Sequence, residues 1–102
     1  MELELNSEKF EKRQDILVEE IAKTIQVKLA EAGLERDKIN DLTLKLAFSI
    51  TCILDGVSGI EADGIDVRPY LTFQIDDDLV HGGENSFMHE LIYEVTGRLM
   101  RG

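Results

Sequence analysis

From residue 7 to residue 32, apolar side chains recur on one stripe at helical spacing: Phe10, Leu17, Ile21, Ile25 and Ala32, with Val18 beside them. This predicts an amphipathic helix over 7–32, uninterrupted by proline or glycine. Asn6 is placed to cap it, Leu5 and Phe10 fit a hydrophobic staple around that cap, and Gly33 supplies the left-handed residue that ends many helices. At ~1.5 Å per residue such a helix is ~39 Å long. A compact chain of this size has a radius of gyration of only ~13 Å, so the helix spans or overhangs the globule.

A second helix is expected over 41–55, capped by Asn40 with Ile39 and Leu44 as its staple. Leu42, Leu46, Ala47, Ile50, Ile53 and Leu54 form its main apolar stripe, and Leu44, Phe48 and Cys52 form a second line on the opposite side. A helix apolar on two sides is expected to be covered on two sides, either at the centre of the fold or against another chain.

After Gly56 the period changes from helical to alternating. Residues 57–62 and 65–75 are expected to form an antiparallel hairpin joined by Asp63-Gly64, with Leu71, Phe73 and Ile75 on its buried face. Pro69 marks an edge or bulge near the start of the second strand. Residues 79–81 offer a short third strand before Gly82-Gly83. A last helix over 86–101 is capped by Asn85 or Ser86. It carries Phe87, Leu91, Val95 and Leu99 on its stripe, widened by Met88 and Ile92, and ends with Arg98 and Arg101 at the negative end of its dipole. The expected class is therefore α+β over a single domain, 1–102: two N-terminal helices, an antiparallel β-hairpin, then a C-terminal helix.

Composition narrows what such a domain can do. The 102 residues carry 21 acidic and 11 basic side chains, a formal charge of −10. That balance disfavours direct binding to nucleic acid or to anionic membranes. The charge is uneven: residues 55–94 hold ten carboxylates and one base, Arg68. One cysteine excludes an intrachain disulfide, and with two histidines it cannot build a Cys/His zinc site. The glutamate-rich first ten residues are unlike a signal peptide, and the lone thiol suits a reducing environment, so a cytoplasmic location is expected.

Four side chains are candidates for chemistry: Asp76, Asp78, His81 and Glu84, which a flexible loop could gather around a divalent cation. Their spacing matches no calcium loop, and Val80 and His81 stand where an EF-hand starting at Asp76 needs an oxygen ligand and glycine. Turn chemistry accounts for these aspartates equally well. His89-Glu90 lacks the second histidine of a zinc helix, the glycines lack a phosphate-binding lysine, and no serine sits in a nucleophile elbow. Cys52 reads as a small buried hydrophobe. No cofactor is expected.

The remaining feature is a set of apolar residues off the main stripes: Ile16 and Val27 on the first helix, and Leu44, Phe48 and Cys52 on the second. These are the expected contacts of a homodimer. The functional expectation is a small acidic, non-enzymatic protein–protein interaction module that self-associates and meets a basic protein partner through its acidic half. Two alternatives are a metal-binding or enzymatic domain built on the Asp76–Glu84 cluster, and a mimic of nucleic acid acting through its carboxylates.

Overall fold

Residues 2–101 are described by a computed structural model. The order of elements is β1 (Leu3–Leu5), α1 (Ser7–Glu31), α2 (Arg36–Leu54), β2 (Ile60–Ala62), β3 (Ile65–Val67), β4 (Phe73–Ile75), β5 (Asp78–His81) and α3 (Met88–Arg101). The class is α+β, with three helices and small sheets.

The first helix begins where its cap predicts. The Asn6 side chain accepts from Lys9 N at 3.1 Å, and Gly33, at φ +84°, closes the other end with its N–H on Ala30 O. The Leu5 staple does not form, because Leu5 is drawn into β1 opposite His81 and stays exposed while Phe10 is buried. The second helix starts at Arg36, five residues before the expected 41. Asn40 lies inside it rather than capping it, and Glu35 at the N-cap makes no side-chain cap bond. Arg36 and Lys38 tolerate helix well and Asp37 favours its first turn, so the helix extends back towards the break at Gly33.

The three helices pack on one another around Val18 and Ala22 of α1, Ala47 of α2, and Met88, Ile92 and Val95 of α3. This corrects the expected core face of α2. Its buried line is Thr43, Ala47 and Thr51, whereas Leu46, Ile50 and Ile53 of the predicted main stripe are exposed. A helix wedged against two neighbours buries the line that bisects them, and small residues there permit close approach. Phe87, expected on the core stripe of the last helix, is also exposed, because α3 begins at Met88, two residues later than expected.

The predicted second strand is broken in two. β2 and β3 pair antiparallel across Asp63-Gly64, both with positive φ as a type I′ turn requires. The chain then leaves the hairpin at Pro69, and β4 joins a separate sheet of order β1-β5-β4. The break is enforced by Asn85, whose side chain takes Pro69 O at 2.7 Å and Leu71 N at 3.0 Å, groups that a continuous strand would pair in a ladder. The short strand expected at 79–81 is present as β5. It pairs antiparallel with β4, and in parallel with β1, a strand not anticipated. The inner face of this sheet sets Phe73 and Val80 towards α1, where the Phe10 and Phe73 rings lie 5.3 Å apart. Gly82 gives Phe10 its space, since a Cβ there would come within 2.9 Å of the ring.

The chain measures 46 × 37 × 20 Å, with a radius of gyration of 15.3 Å. That exceeds the ~13 Å of a compact chain of this length.

Candidate functional site

The most organised polar group in the protein is centred on Asp55, the residue that ends α2. Its side chain has 0% exposure and accepts from the Ser86 hydroxyl, from His89 N at 2.7 Å and from His89 Nδ1 at 2.5 Å. A carboxylate at the start of α3 neutralises free N–H groups and meets the positive end of the helix dipole. Gln14 of α1 adds a second cap from outside the helix, its side-chain oxygen accepting from Phe87 N at 2.6 Å. Asn85 completes the junction, donating to Asp55 O at 2.8 Å and to Pro69 O.

This junction contains serine, histidine and aspartate, but the hydrogen bonds run the wrong way for nucleophilic catalysis. Both Ser86 and His89 converge on Asp55, so the histidine does not hold the serine proton. Cys52, one turn before Asp55, is not an activated thiol either. Burial pushes its pKa up, and the negative charge of Asp55 adds to that push. Alkylation of Cys52 by iodoacetamide at pH 8 is therefore expected to be slower than that of an unstructured cysteine peptide; an equal or faster rate would contradict the assignment. The linked stability has a definite sign. The folded thiol keeps its proton above the ordinary value of 9.0, so this contribution is full below that pH and declines as pH rises past it.

The expected metal cluster is not assembled. Asp76 and Asp78 lie at the β4–β5 turn, His81 ends β5 three residues after Asp78, and Glu84 lies beyond the glycines. Among the described residues no three His, Cys, Asp or Glu side chains come together in a metal-binding group. His81 Nδ1 is taken by Gly83 N at 3.2 Å, with the Tyr70 hydroxyl at 3.4 Å. Glu84 instead lines a cavity of about 180 Å³ with Ser7, Phe10, Glu11, Gln14 and Phe87.

The apolar candidates fall into two groups. Leu44 packs against the core and Cys52 is half-buried, while Phe48 sets its ring 6.2 Å from both His89 and Tyr93 of α3 yet stays exposed. Ile16 and Val27 are exposed on α1. Ile16 lies in an open apolar hollow with Leu17, Phe73, Arg13 and Glu20. A second hollow, sharing Leu17 and Glu20, continues along Ile21 and Ile25 to Ile50 of α2. The two form one apolar strip running from β4 across α1 to α2. Sequence reasoning missed the contribution of Phe73 and Ile50, both assigned to buried stripes.

No described helix is long and apolar enough to cross a membrane. No family model, curated protein or solved structure matches the chain.

Proposed function

We propose that this protein is a non-enzymatic protein-interaction module that works as a homodimer closed across the apolar strip of β4, α1 and α2. The observation that carries this reading is the open run of apolar side chains from Phe73 through Ile16, Leu17, Ile21 and Ile25 to Ile50, which the burial of Thr43, Ala47 and Thr51 on α2 leaves exposed. Exposed apolar residues are ordinary singly, but a contiguous patch marks a contact surface. The protomer also exposes 6845 Å². A monomeric protein of this mass exposes about 5,800 Å². The excess of roughly 1,000 Å² goes with the extended shape of the chain.

The carboxylates that lie outside the contact then face outward from the dimer. Their field steers a basic protein partner, with association slowing as salt rises. Catalysis draws no support from a junction in which Ser86 and His89 share one acceptor, and metal binding draws none from four candidate ligands that stand apart. Zero-length carbodiimide coupling at low micromolar protein tests the assembly. A band at twice the 11.5 kDa chain mass is expected, and a gel showing monomer alone would overturn the reading.

A further inference from the structure

Resting on that dimer reading, we infer that the β2–β3 hairpin of each copy is an arm that docks on the apolar strip of the other. The register of the hairpin makes it two-faced. Ile60 pairs with Val67 and Ala62 with Ile65, which sets all four on one face, while Glu61 and Asp66 pair on the other. Ile65 is 64% exposed and Val67 48%, and the hairpin has no extensive packing against any helix or against the other sheet. An isolated two-stranded hairpin is only marginally stable in water, so an apolar face of this kind needs a cover.

The arm is fixed at its root. Asn85 holds Asp55 O and Pro69 O together, so both ends of the hairpin leave the body from one point. Gly56 at that root has φ +74°, and a Cβ there would lie 3.0 Å from Asn85 Nδ2 and 3.2 Å from Pro69 O. The arm therefore projects in a set direction, with its orientation established before a second copy arrives.

The end of the strip nearest β4 offers this arm an apolar floor and bases. Ile16, Leu17 and Phe73 supply the floor, with Glu20 at one side of it, Arg13 at the other, and Lys12 and Lys9 before Arg13 on the helix. Among the described residues none of these three bases is in a salt bridge, and neither is Glu61 nor Asp63 at the end of the arm. Seating Ile65 and Val67 on the floor brings the carboxylate-bearing turn towards free cations. The occupant we infer is a second copy: it carries the exposed apolar face and the unpaired carboxylates that the strip's floor and bases can take, and a twofold axis makes the contact twice.

Two measurements test the arm. Ile65 and Val67 are exposed in the protomer, so the double variant Ile65→Asp/Val67→Asp keeps its helical circular dichroism while buried charge removes the docking. Its dimer dissociation constant is expected to rise at least ~100-fold. In a Cys52→Ser background, Ile16→Cys combined with Ile65→Cys is expected to form an intermolecular disulfide on mild oxidation, whereas either cysteine alone does not. An unmodified chain that stays monomeric overturns both the dimer and the arm. A dimer that neither weakens in the double variant nor cross-links in the cysteine pair overturns the arm alone. The contact then moves to another open face, such as the outer sheet surface of Leu3, Leu5 and Leu79.

Discussion

Replacing Asp55 by alanine is expected to destabilise the protomer by about 3 kcal/mol, the largest loss from any single polar side chain. The carboxylate is fully buried and accepts three hydrogen bonds, two of them from His89 in the first turn of α3. Removing it leaves the buried Ser86 hydroxyl and two His89 N–H groups in a half-buried site without their acceptor. It also takes a negative charge from the positive end of a helix. Asp55→Asn should fall between the two, since its oxygen can still accept while its NH₂ group faces donors. Urea denaturation followed by circular dichroism reads the difference. A loss below about 1 kcal/mol would mean that the junction reorganises around other acceptors.

The second large effect is on assembly rather than folding. Ile16→Asp is expected to leave protomer stability within about 0.5 kcal/mol, because the side chain is already 57% exposed. The same change places a charge at the centre of the apolar floor and is expected to raise the dimer dissociation constant about 100-fold. Since dimerisation itself adds to apparent stability, the two quantities must be compared at equal, low protein concentration. A variant that dimerises like the unmodified chain would place the interface off α1.

Much of the fold is legible from local pattern because its physical causes are local. The first helix declares itself through an unbroken 3.6-residue period between a capping Asn6 and a terminating Gly33, and Asp63-Gly64 forms the turn its two residues favour. What escapes the pattern is set by distant partners. The β1 strand has only the alternation of Leu3 and Leu5 with glutamates, and its pairing is to residues 79–81. Pro69 signals an irregularity, but the full break between β3 and β4 comes from Asn85, sixteen residues beyond it.

The candidate sites follow the same division. Ile16 stands out in the sequence as an apolar residue off its helix's stripe, and the structure leaves it exposed. On α2, periodicity identifies the apolar positions without deciding which are covered. That depends on how two other helices cross it, and they select Thr43, Ala47 and Thr51. Asp55 carries no local mark beyond ending a helix. Its role appears only when His89, 34 residues later, brings a helix start against it. The aspartates at 76–78, conspicuous in sequence, serve a tight turn in which Asp76 takes φ +55°.

Sedimentation equilibrium of the unmodified chain, at two concentrations and in buffer with chelator and then with divalent ions, tests the central claim most directly. The account predicts a dimer of the 11.5 kDa chain that dissociates on dilution and is indifferent to metal. A monomer at every concentration, or a mass that changes only when divalent ions are added, would contradict it.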